Sequence, residues 1–231
     1  MPTVIPPGTR AVFFDAVGTL LFPDPPAPVV YSESARRTGL DIPPDEVRSR
    51  WLRAFRAEEA ADRLAGWVTS EARELARWRR IVAESVRGVA DPDVCFRELF
   101  DHFSRPSAWR VDPDAGDVLT ALRDRGLVVG LASNYDARLL TVLAGFRELE
   151  PLRERVVVSA TVGHRKPAAA FFTHVVQAAG CERTEVLYVG DDIENDHNGA
   201  KAAGLNAILI DPDGRHAEVG QSIKELRELL T

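Results

Sequence analysis

Five short segments of this chain are apolar at almost every position, where a half-exposed strand would be apolar at every second one. They are AVFFD (11–15), LVVGLAS (127–133), RVVVSA (155–160), EVLYVGD (185–191) and AILID (207–211). Strands of this kind are covered on both faces. Helical patterns at 114–124, 136–146, 168–179 and 195–203 fall between the later segments. Strand alternating with helix predicts an α/β fold whose sheet is parallel and whose crossovers are right-handed.

The stretch between the first two strands follows another rule. It offers no strand candidate but four amphipathic segments, at 29–38, 45–64, 70–86 and 93–103. In the second, Val47, Trp51, Leu52 and Phe55 recur at helical spacing, and the arginines and glutamates of 48–63 form a charged outer face. Trp51, Phe55, Trp67, Trp78, Phe96 and Phe100 are expected to supply this block's own core. Pro-rich FPDPPAP and SRPSAW bracket it as linkers. The predicted organisation is a core of 1–22 and 109–231 interrupted by an all-helical insertion, 23–108.

Composition narrows the function classes. A chain of 231 residues with 45% apolar content can bury a sizeable core, and a net charge of −6 gives no footprint for nucleic acid or an anionic membrane. Two cysteines, Cys95 and Cys181, are too few for a disulfide framework and lack metal-ligand spacing. The start, MPTVIPPGTR, has no signal-peptide character, and no apolar run approaches a membrane span, so a cytoplasmic protein is expected. Nothing in the sequence fixes an oligomeric state. Lysine is scarce: Lys166, Lys201 and Lys224 are the full set.

In an open parallel sheet, ligands bind beyond the carboxyl ends of the strands. Those ends carry Asp15 after the first strand, Ser133 and Asn134 after the second, and Asp191 and Asp192 after the fourth, with Asp196 close behind. Lys166 comes from the loop GHRKP after the third. Clustered carboxylates repel one another unless a cation joins them. Mg²⁺, a hard ion held by one or two carboxylates together with water and substrate phosphate, suits such a set. Lysine and a serine hydroxyl can hold the remaining phosphate oxygens, which predicts phosphoryl transfer on a small phosphorylated substrate.

The segments FDAVGTL, LASNYD, HRKP and VGDDIENDHNGAKAAG resemble the four ordered motifs of the haloacid dehalogenase (HAD) superfamily, and the helical block resembles its helical cap subclass. The resemblance implies a Rossmann-like core with an inserted cap that closes over substrate. It implies that Asp15 is the nucleophile, forming an aspartyl intermediate. It implies that Ser133, supported by Asn134, binds the transferring group, and that Lys166 neutralises that group and the nucleophile. Mg²⁺ would be held by Asp15, the Val17 backbone carbonyl and Asp191, with Asp192 or Asp196 adding a further contact.

Val17 departs from the pattern. Phosphatases of the family usually carry there a second aspartate that protonates the leaving alkoxide. Such general acid catalysis is typically worth about 10²- to 10⁴-fold. Two alternatives therefore stand beside a metal-dependent phosphatase: a 2-haloacid dehalogenase-like hydrolase, whose leaving halide needs no proton, and a catalytically impaired binding protein that keeps the fold. His164 and His197 are expected to be bystanders.

Overall fold

The computed structural model describes residues 4–231, so residues 1–3 of the predicted core segment lie outside the described residues. Eight strands are found among them: β1 (Ala11–Phe14), β2 (Leu21–Pro23), β3 (Trp109–Val111), β4 (Val128–Ser133), β5 (Val156–Val158), β6 (Val186–Gly190), β7 (Asn206–Ile210) and β8 (Ser222–Ile223). Nine α-helices accompany them: α1 (Ala27–Arg37), α2 (Pro44–Leu64), α3 (Glu71–Ser85), α4 (Pro92–His102), α5 (Ala115–Asp124), α6 (Arg138–Ala144), α7 (Ser159–Val162), α8 (Ala169–Ala179) and α9 (Gly199–Ala202). No helix of the described residues is long and apolar enough to cross a membrane.

Six strands form one parallel sheet in the order β5-β4-β1-β6-β7-β8. Their continuous apolar character is explained by what lies on each side. Val12 and Phe14 of β1 enter one core with Leu131, Leu187 and Val189, roofed by Val118, Leu119 and Leu122 of α5. Ala11 and Phe13 point the other way, into a core with Tyr188 and with Phe171, Phe172 and Val175 of α8. Alternate residues of one strand thus feed two buried layers. The chain starts in the middle, moves outward through β4 and β5, then returns to the far side of β1 with β6. The carboxyl ends of β1, β4 and β6 therefore meet at a topological switch point.

Helices α1 to α4 pack around their own cluster of Val30, Tyr31, Val47, Val82, Cys95, Phe96 and Leu99, with Trp51, Trp78 and Phe100 against it. Local signals set their starts: Ser70 accepts a bond from Arg73 N at 3.2 Å before α3, and Asp91 caps α4 with Pro92 in its first turn.

The structure corrects several expectations. The bracketing linkers hold a two-stranded antiparallel ribbon, β2 with β3, which at three residues a strand is too short for a readable period. The strand predicted over 155–160 stops at Val158, where the Ser159 hydroxyl bonds the Tyr135 backbone N and O at 3.1 and 3.0 Å and the chain turns helical. The helix predicted from 195 begins earlier, as a wide π turn over Ile193–Asn198. Trp67 and Phe55 lie outside the helical core, Trp67 in the α2–α3 turn with φ +62° and Phe55 on the cavity side against Trp51. Asp62, inside the 48–63 stretch whose arginines and glutamates were expected to form a charged outer face, is fully buried.

Candidate active site

β1 delivers Asp15 to the switch point with its backbone N bonded to Val189 O at 2.9 Å. Lys166 reaches the same point from the loop after α7. Its ammonium donates to Asp15 Oδ1 at 2.6 Å, Asp196 Oδ1 at 2.5 Å and the Tyr188 hydroxyl at 3.0 Å, so all three of its N–H bonds are committed. The Tyr188 hydroxyl in turn donates to Ala132 O. Asn134 grips the lysine's backbone from both sides, its Nδ2 donating to Lys166 O at 3.1 Å and its Oδ1 accepting from Lys166 N at 2.8 Å. Ser133 ends β4 on the wall of the same cleft.

Oxygens of Asp15, Asp191 and Asp196 lie within 4.8 Å of one another. Two glycines make that approach possible. A Cβ on Gly18, whose φ is +96°, would overlap the Asp191 carboxylate, and a Cβ on Gly190 would overlap that of Asp196. Thr19 Oγ1 steadies Asp191 at 3.2 Å, and Asp192 N steadies Asp196 Oδ2 at 3.0 Å.

The electrostatics follow from three acids sharing one ammonium. Burial by itself would depress Lys166, yet Asp15 and Asp196 hold its pKa well above the ordinary value, so it stays charged. Burial, then the charges of Asp15 and Asp196, push Asp191 up to about 8. Burial also raises Asp196, against the pull of Lys166. The cluster is short of positive charge, and its donors are all hard oxygens. That set fits a divalent cation of the Mg²⁺ kind.

A cavity of about 690 Å³ opens above the cluster, floored by Asp15, Val17, Ser133 and Lys166 and roofed by Trp51, Phe55 and Phe100. Beside it the helical block is tied to the sheet by charge. Buried Arg165 bonds Glu74 and stands 3.5 Å from Asp62, which also takes Arg77 Nε at 3.1 Å and Arg73 Nη2 at 2.6 Å. Burial and Arg165 lower Arg77 to about 10, against the pull of Glu74 and Asp62. Backbone bonds Thr69 N to Gly163 O (3.0 Å) and Arg165 N to Trp67 O (2.9 Å) complete the seam.

Sequence reasoning named Asp15, Ser133, Asn134, Lys166, Asp191 and Asp196, and the structure gathers all six. Asp192 stands outside the acid trio: its carboxylate accepts from Glu194 N and Asn195 N, each at 2.9 Å, and from Asn195 Nδ2 at 2.8 Å. Val17 is half-buried on the cavity wall. Arg165, Tyr188, Gly18 and Gly190 were not foreseen. Tyr188 had a signal, a polar tip inside an otherwise apolar strand, and Arg165 had one in its adjacency to Lys166.

Sheet order, helical insertion and acid–lysine cluster together place the molecule among α/β proteins whose site is built at the switch point of a parallel sheet. The chain belongs to the haloacid dehalogenase-like hydrolase family, whose description matches residues 9–204. It is 29% identical over 209 residues to the human haloacid dehalogenase-like hydrolase domain-containing protein 3, covering 87% of this chain and 81% of the relative. Over 100 residues it is 33% identical to a ribulose-1,5-bisphosphate 5-phosphatase of Halopiger xanaduensis, covering 43% of this chain and 42% of that one. A HAD phosphatase from Thermococcus onnurineus superposes with a TM-score of 0.69 at 26% identity, over 96% of each chain.

Proposed function

We propose that the chain is a Mg²⁺-dependent phosphohydrolase of small phosphorylated compounds, working through an aspartyl-phosphate on Asp15. The observation that carries this reading is the Asp15–Lys166–Asp196 contact set with Asp191 alongside, lining the cavity at the switch point. Two relatives named as phosphatases support it.

Asp15 attacks phosphorus, with Lys166 balancing its charge and that of the incoming phosphoryl oxygens. Ser133 donates to a phosphoryl oxygen. Asn134 acts through the Lys166 backbone, fixing where the ammonium points. Asp15, the Val17 carbonyl, Asp191 and Asp196 would hold Mg²⁺, which when bound supplies charge neutralisation for the transferring group. Asp192 shapes the turn that presents Asp196. Residues 23–108 serve as a lid that closes over substrate and excludes water during the first step. A cytoplasmic setting fits a small-metabolite hydrolase of this kind.

Phosphate release measured with Mg²⁺ and with EDTA tests the reading: activity is expected only with the metal. Asp15→Asn should abolish turnover and leave the circular dichroism spectrum intact. Val17 favours a second reading, dehalogenase-like hydrolysis, and metal-independent release of halide from 2-haloacids would establish that reading over the first. A folded protein that binds Mg²⁺ and turns over neither class would be the impaired binding protein.

A further inference from the structure

We propose that the substrates of this site are aryl phosphate monoesters, in which the ester oxygen departs as a phenolate; this rests on the phosphohydrolase reading above. Two independent observations meet here, one about protons and one about shape.

The departing oxygen is short of acids: beyond the acid–lysine cluster and the arginines, the cavity is bordered by Tyr31 and Tyr135, whose hydroxyls burial makes poorer acids, by Glu59, which accepts from Asn195 Nδ2, and by His216. The side chain two residues beyond Asp15 is Val17, which offers only methyl groups to the cavity. Lys166 has spent its three N–H bonds on Asp15, Asp196 and Tyr188. Asp191 and Asp196 would be ionised as ligands of Mg²⁺, with Thr19 and Asp192 N donating to them. His216 borders the cavity from the loop after β7, with its Nδ1 3.4 Å from Glu218. A phenol has a pKa of about 10, whereas an alcohol lies near water's value of about 15.7. A phenolate can therefore leave unprotonated where an alkoxide cannot.

The roof of the cavity is made of rings. Trp51 and Phe55 stack at 4.9 Å with 22° between their planes, and Trp78 and Phe100 flank them. All four are half-buried and line the cavity, with Phe55 held between Trp51 and the Arg77 guanidinium, 4.5 Å over its ring. The Arg138 guanidinium lies 3.6 Å over the Phe100 ring and covers one of its faces with a cation. Such rings, set among Arg56, Glu59 and Arg138, offer a flat aromatic body stacking and cation contacts.

The step balances without another reactant. An Asp15 carboxylate oxygen bonds to phosphorus, the P–O(aryl) bond breaks, and its electron pair leaves on the phenolate, which takes a proton from bulk water. Water then attacks phosphorus and the P–O bond to Asp15 breaks, restoring the carboxylate. One of that water's protons stays on the inorganic phosphate and the other goes to solvent.

The test compares phenyl phosphate, benzyl phosphate and acetyl phosphate on the Mg²⁺-loaded protein. Phenyl and benzyl esters share the ring but differ in leaving group; acetyl phosphate has a good leaving group and no ring. Phenyl phosphate is expected to exceed benzyl phosphate by about 100-fold or more in kcat/KM, the size of a missing acid's contribution. Trp51→Leu and Phe55→Leu should each lower phenyl relative to acetyl phosphate by about tenfold, the scale of one lost ring contact. Benzyl phosphate turning over within tenfold of phenyl phosphate would show a working proton donor, His216 included, and overturn the proposal. Equal losses on phenyl and acetyl phosphate in both variants would overturn the aromatic recognition. No turnover of any of the three would defeat the phosphohydrolase reading itself.

Discussion

Replacing Gly190 by alanine would add one methyl group at the last residue of β6, against the Asp196 carboxylate. Alanine in a strand interior is intrinsically better than glycine by about 0.5–1 kcal/mol. Here the methyl group cannot be accommodated unless Asp196 moves, and a short aspartate side chain that moves loses both partners. The bond from Lys166 is charge-assisted and worth about 1.5–3 kcal/mol, and the bond from Asp192 N about 0.5–1.5 kcal/mol. The net expectation is a loss of about 1–4 kcal/mol once the intrinsic gain is set against those two bonds. Urea midpoints of wild type, Gly190→Ala, Asp196→Ala and the double variant form the assay, with EDTA throughout so that only the protein's own contacts are read. In the Asp196→Ala background the glycine substitution should be neutral or mildly stabilising, because nothing remains to displace. An equal loss in both backgrounds would refute the idea that Gly190 exists to admit the carboxylate.

Two further outcomes follow from the charges. Asp191 holds its proton more tightly folded, at about 8, than in the unfolded chain, so ionising it opposes folding increasingly as pH rises from about 4 to 8. Asp191→Asn should therefore raise the melting temperature of EDTA-treated protein at pH 8 by more than at pH 5. An equal rise at both would place the group outside the acidic cluster's field. Asp62→Ala strips fully buried Arg77 of its partner and should cost about 3–5 kcal/mol. Asp93→Ala, which breaks the exposed pair with Arg79, should leave the midpoint of the same denaturation nearly unmoved.

Much of the α/β architecture was legible because its signal is redundant. The five strands read from the sequence are apolar at almost every position, and the acids interrupting that pattern, Asp15 and Asp191, fall where a parallel sheet opens; the two-residue β8, with an exposed serine, carried no such signal. Ser133 and Lys166 could be placed by the same geometry. What escaped notice depends on partners far along the chain. Asp62 sits among charged neighbours on α2 and looks solvated until Arg77 and Arg165 close over it. Asp192 and Asp196 are chemically alike in the sequence, and the wide turn after β6 separates them, spending one carboxylate on its own backbone and sending the other to Lys166. The β2–β3 ribbon was hidden by prolines and brevity. Among the aromatics of the helical block, only packing tells which line the cavity and which, like Trp67, sit aside.

Arg165 and Lys166 are consecutive residues that face opposite worlds. One is anchored to the helices overhead, the other to the carboxylates below. A boundary glued by ions behaves unlike one glued by oil: opening it returns each charge to water, and regained hydration offsets most of the lost attraction. A lid on such a boundary can swing with little net penalty in either direction. If residues 23–108 swing as proposed above, each swing would also tug the Arg165–Lys166 backbone, which bonds Trp67 O on one side and Asn134 on the other, and so would couple opening to the position of the ammonium.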